Sequence, residues 1–75
     1  MYHTIEFAAD FAVDMEISPR QPLERIRICK GTRVRVQLKP YVVETADGPV
    51  EVADLYFEDG TATRQVRWEH MKLVN

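Results

Sequence analysis

Seventy-five residues with a net charge of −2, 45% apolar and 29% charged side chains have the composition of a folded globular chain, outside the low-hydrophobicity regime of disorder. A chain this short buries only about 60% of its unfolded surface, which allows one core, a single domain over residues 1–75, and no deep catalytic cavity. The lone cysteine, Cys29, excludes an internal disulfide and a cysteine metal pair, no apolar run reaches the about 20 residues that span a bilayer, and the acidic N-terminus is unlike a signal peptide, so the expectation is a cytoplasmic protein with no membrane partner.

Residues 4 to 18 alternate. Ile5, Phe7, Ala9, Phe11, Val13, Met15 and Ile17 share one parity, and Thr4, Glu6, Asp10, Asp14 and Glu16 share the other, the period of two that marks a half-buried strand. The competing helix would stack Phe7, Phe11 and Met15 but strand Val13 and Ile17 among the acids. An amphipathic N-terminal strand over 1–17 is therefore expected. Ser18-Pro19-Arg20-Gln21-Pro22 ends it, because proline donates no ladder hydrogen bond; its P-x-x-P spacing is also that of a polyproline II ligand, but a proline-stiffened connection is expected.

In RIRICKGTRVRVQLK, residues 25 to 39, Ile26, Ile28, Val34, Val36 and Leu38 share one parity, and Arg25, Arg27, Arg33, Arg35 and Lys39 the other. A loop at Lys30-Gly31-Thr32 with Gly31 left-handed would pair Ile28 with Val34 in a hairpin and set Arg27 opposite Arg35, an unfavourable contact unless acids intervene. Pro40 is expected to close the strand. Asp47-Gly48 and Asp59-Gly60 mark two further turns. Between them the apolar parity changes from Val50 and Val52 to Leu55 and Phe57, which predicts a bulge near Ala53-Asp54. The segment RWEHMKLV suits one 3₁₀ turn and a short closing strand, Lys72 to Val74. Five or six short strands with turn signals at this spacing describe an all-β small barrel over residues 25–75, preceded by the amphipathic strand.

Residues 31 to 74 resemble the SH3-like small-barrel class. KGTRVRV matches a first barrel strand after a glycine turn, VADLYFEDGTA a hairpin with a tight tip, and VRWEHMKLV a 3₁₀ turn and closing strand. The resemblance implies a module that binds proteins or nucleic acids, or a small subunit of an assembly. The acidic segment 4 to 17 is a departure, since the minimal barrel lacks it.

The charges are sorted along the chain: residues 1 to 19 hold four acids and no Lys or Arg, 20 to 39 seven bases and one acid, and 40 to 60 six acids and no base. If these segments lie side by side, the arginines form cross-strand ion pairs of about 0.2 to 1 kcal/mol each. If they do not, Arg25, Arg27, Arg33 and Arg35 form an exposed stripe suited to phosphate. Against nucleic acid stand a pI near 5.6 and the absence of any aromatic between Phe11 and Tyr41. Tyr41, Tyr56 and Trp68 either close the ends of a small core or line a shallow peptide groove.

No chemistry-bearing constellation is present. His3 and His70 lack metal or base partners in the sequence, Cys29 is expected to be a packing residue, and Asp54, Glu58 and Asp59 lack calcium-loop spacing. The expectation is a non-enzymatic interaction module without catalytic residues, metal or cofactor, binding a protein partner or a second copy of itself. RNA or single-stranded DNA binding through the arginines at 25 to 35 is the alternative.

Overall fold

The computed structural model describes residues 1 to 74, which are all-β apart from one 3₁₀ turn. The strands are β1 (His3–Phe7), β2 (Phe11–Glu16), β3 (Glu24–Ile28), β4 (Arg33–Thr45), β5 (Gly48–Phe57), β6 (Ala62–Arg67) and β7 (Met71–Leu73), with the 3₁₀ turn Trp68–His70 between the last two. They form one antiparallel sheet in the order β3-β2-β6-β5-β4-β1-β7, curled into a half-barrel.

There are seven strands where five or six were expected, because the N-terminal segment is two strands. At Ala8 the chain leaves the line of β1: the Ala8 N–H donates to the His70 carbonyl at 2.7 Å, and Asp10 Oδ1 accepts from the Lys30 N–H at 2.6 Å. The alternation survives this break. Ile5 and Phe7 from β1, and Val13 and Met15 from β2, are all buried on the concave face with Val36, Ala53, Leu55, Val66 and Met71. Phe11 packs its ring edge-on to Phe7 and against His70, with centroids 5.6 and 4.9 Å away. The departure segment thus supplies the strand between β4 and β7 and one half of the hairpin at the other edge.

The hairpin expected between β3 and β4 does not form. Gly31 is left-handed as expected, at φ 90°, but its N–H donates to the Phe7 carbonyl, and the Phe7 N–H donates to Thr32. The turn therefore joins β1, while β3 pairs with β2 and β4 pairs with β1 and β5. Arg27 stands opposite Ala12 and Arg35 opposite Thr4, so the predicted contact between the two arginines is absent. Pairing with β2 sets Asp14 directly opposite Arg25, where the hairpin with β4 would have set Arg27 opposite Arg35.

Pro40 does not close β4. The strand runs through it to Thr45, pairing continuously with β5 from Val36↔Phe57 to Thr45↔Gly48. The register irregularity falls at Ala53/Leu55, but the extra residue belongs to β6: two steps along β5 answer three along β6, from Thr63 to Val66. Gln65 takes up the difference in a left-handed conformation at φ 58°. The parity change in β5 has another origin, since Val52, Ala53, Asp54 and Leu55 are buried on both faces. The 3₁₀ turn lies where the sequence placed it, with β7 one residue earlier than expected.

Candidate interaction surface

Two of the four arginines of the stripe are answered by acids within the chain. Arg25 reaches Asp14 at 3.0 Å across the β2–β3 pair, and Arg33 reaches Glu6 at 2.9 Å across β1–β4. Glu6 also accepts from Lys72 at 3.1 Å, and Arg64 pairs with Glu16. The hydrogen bond from Arg33, followed by that from Lys72, holds the Glu6 carboxyl below the ordinary glutamate range, and Glu16 raises Arg64. Arg35 lies over the Tyr2 ring, 5.8 Å from its centroid. Arg27 has no ion pair among the described residues. The sorted charges thus act largely as register contacts between strands, each pair exposed and of small worth.

A different surface emerges where β4 and β5 outrun their neighbours. β1 pairs with β4 only as far as Val36, and β6 pairs with β5 only from Val52 onward, so residues 41–51 form a two-stranded arm. Turn chemistry closes it tightly: Thr45 Oγ1 donates to the Gly48 carbonyl at 2.7 Å and accepts from the Asp47 N–H, and Gly48 sits at φ 107°, where a side chain would be strained.

The root of the arm is fastened by Asp54. Its Oδ1 accepts from the Tyr41 hydroxyl at 2.8 Å and from the Gln65 N–H at 3.1 Å, which satisfies a carboxylate only 8% exposed and fixes the β6 bulge to β5. That same hydrogen bond, with burial, pushes the Tyr41 phenol above its usual range. Tyr41 and Asp54 lie on the convex face, as does Tyr56 by strand parity.

On the concave face of the arm Pro40, Val42 and Glu51 meet Trp68 of the 3₁₀ turn, in a shallow, mostly apolar groove of about 420 Å³ that Tyr41 and Val52 complete. Beneath the indole lie Ile5, Leu38, Met71 and Leu73. Val42 is 57% exposed and Leu73 52%, unusual for large apolar side chains beside a core. Trp68 therefore both caps the core and floors the groove. Tyr41 shares that groove through its place at the arm root, whereas Tyr56 stands apart from it, and the arginines lie on other surfaces.

Hydrogen-bond parity shows which backbone groups of the arm are free. The Phe57 N–H donates to Thr61 across the β5–β6 hairpin, so odd-numbered residues of β5 face β6 and even-numbered ones face β4. In β4, even-numbered residues then face the β1 side. Both arm prolines fall on open edges: Pro49 on the β6 side, Pro40 on the β1 side. This is the physical reason why Pro40 is tolerated inside a strand. Beyond it, Val42 and Glu44 each present a donor and an acceptor with no neighbouring strand.

The sequence singled out Tyr41 and Trp68 but missed Pro40, Val42, Glu44 and Glu51. The signal was present: a proline flanked by alternating apolar residues marks an edge, and six acids without a base from 40 to 60 mark a region whose charges have no local answer. Glu44, Asp47 and Glu51 make no ion pair among the described residues. The remaining sequence candidates are plainly placed. Cys29 is exposed rather than packed, Pro19 to Pro22 is a loop in which the Gln21 N–H closes a turn on Ser18, and no group of three or more potential metal ligands occurs among the described residues. No described helix is long and apolar enough to cross a membrane.

No protein-family model, curated protein or solved structure matches the chain.

Proposed function

We propose that this protein is a non-enzymatic interaction module built on an SH3-like barrel, and that it binds protein through the groove at the root of the β4–β5 arm. The strand order supports the barrel: β7-β1-β4-β5-β6 run side by side with the 3₁₀ turn entering the last strand, and the β2–β3 hairpin is an insertion between the first and second of these. On this reading the segment 4 to 17 contributes the first barrel strand and half of the insertion.

The observation that carries the function is the exposed apolar groove of Pro40, Val42 and Trp68 beside an open strand edge. An isolated two-stranded ribbon is marginal in water, and an exposed apolar surface flanked by polar residues is the usual mark of an interface. Nucleic acid is the weaker reading because Asp14 and Glu6 neutralise two of the four arginines of the stripe. A protein bound by the wild-type chain and lost from a Val42→Glu variant that keeps the wild-type melting temperature would support the proposal. Salt-sensitive binding of a single-stranded oligonucleotide, abolished by Arg27→Glu with Arg35→Glu and indifferent to Val42→Glu, would replace it.

A further inference from the structure

We infer that the occupant of this groove is an extended, basic and apolar segment of a partner protein that adds as a strand to the open edge of β4 at Val42 and Glu44. The inference rests on the protein-binding reading above and names the class of partner. Three observations lead to it.

The first is backbone capacity. Val42 and Glu44 direct N–H and C=O groups away from β5, toward space that β1 vacates beyond His3↔Val36. The opposite edge of the arm is poorer, since Pro49 removes a donor there and the corner from Arg67 into Trp68 crowds Glu51. A strand laid on the β4 side continues the line of β1 and meets no existing strand.

The second is side-chain shape. Residues of an added strand that stand opposite Pro40 and Val42 project on the concave face, into the groove floored by Trp68. Apolar side chains there cover Val42, which is 57% exposed, and the outer face of the Trp68 indole.

The third is charge. Glu44 and Glu51 lie on that same concave face by strand parity, one directly beside the added strand and one a strand further, and neither makes an ion pair among the described residues; Arg67, beside Glu51, pairs with Glu69. Asp47, at the tip, adds a third charge without an ion pair among the described residues. Lys or Arg in the added segment answers them. A second copy of the arm would bring the same acids together, so charge selects against pairing of two arms.

The test uses the full chain and three synthetic probes: an alternating Lys–Val peptide, the matching Glu–Val peptide, and a Lys–Val peptide N-methylated at alternate residues so that one edge carries no donors. The expected result is saturable binding of the Lys–Val peptide, about ten-fold tighter than the Glu–Val peptide at low salt. Binding should protect the Val42 and Glu44 amides from hydrogen exchange, shift the Trp68 indole resonance, and be lost on N-methylation. The Glu44→Lys, Glu51→Lys chain, altered only at exposed positions, should reverse the charge preference. Tighter binding of the Glu–Val peptide with protection of the same amides overturns the inferred partner class and leaves the protein-binding reading standing. Lys–Val binding without protection at Val42 and Glu44 overturns strand addition. A dimer in light scattering whose Val42 and Glu44 amides are already protected overturns it in favour of a second copy. Failure of both peptides, with an oligonucleotide bound through Arg27 and Arg35, overturns inference and reading together.

Discussion

The inner and outer halves of the β4–β5 hairpin follow one pairing register and meet different surroundings. From Val36↔Phe57 to Pro40↔Ala53 the pair is flanked by β1, β6 or both, and Val36, Ala53 and Leu55 are buried completely. From Val42↔Glu51 to the tip no described strand pairs with either side of it, and Val42 lies open. The same contrast runs through the charges. Around the half-barrel, Glu6, Asp14 and Glu16 each meet an arginine; on the arm, Glu44, Asp47 and Glu51 make no ion pair among the described residues. Stability is concentrated where strands have neighbours on both sides, and recognition is free to develop where they do not.

Substitutions on the two sides of that boundary should differ steeply. Phe7→Ala, at a side chain 1% exposed, should lose about 3 to 5 kcal/mol, enough to abolish the cooperative thermal transition of a chain whose margin is only a few kcal/mol. A folded variant with a near-normal melting temperature would show that the concave face is not the main core.

At the boundary itself, Asp54→Ala leaves the Gln65 N–H and the Tyr41 hydroxyl without their acceptor and should cost about 1 to 3 kcal/mol in denaturant unfolding. Asp54→Asn keeps an acceptor oxygen and should recover much of that loss. If the two variants were equal, the arm root would be held by packing rather than by these hydrogen bonds.

In the half-barrel, the ion pairs should be visible through acid. Because Arg33 and Lys72 lower the folded pKa of Glu6, its contribution to stability is complete above the ordinary glutamate value and is lost as pH falls through the lowered folded value. Melting temperatures of the wild type and Glu6→Gln should therefore converge as the solution is acidified through that window. A constant gap would assign the effect of the substitution to packing.

The smallest expected effect on stability belongs to the arm: Val42→Thr should shift unfolding by no more than about 0.5 kcal/mol while weakening capture of the Lys–Val peptide. A larger destabilisation would mean that the arm folds as part of the core.

Much of this was legible along the chain. The alternation of Ile5, Phe7, Val13 and Met15 marked the buried face; Asp47-Gly48 and Asp59-Gly60 marked the turns; Trp68 marked the 3₁₀ turn. Of the interaction surface, Tyr41 and Trp68 were visible as aromatics, whereas Val42 was not. An apolar residue at a strand's core-facing parity looks the same whether or not neighbouring strands extend far enough to cover it.

The sequence by itself determined the all-β character, which parity turns inward and where glycine must bend the chain, because these follow from local sterics and a period of two, but not where the N-terminal strand breaks or that β4 runs through Pro40. Only the tertiary structure decided that β3 pairs with β2 rather than β4, that Pro40 lies on an open edge, and that Asp54 joins the arm to the bulge of β6. Strand partnership is non-local: a half-buried strand satisfies its pattern against any complementary neighbour, and the choice is made by closing the whole sheet around one core.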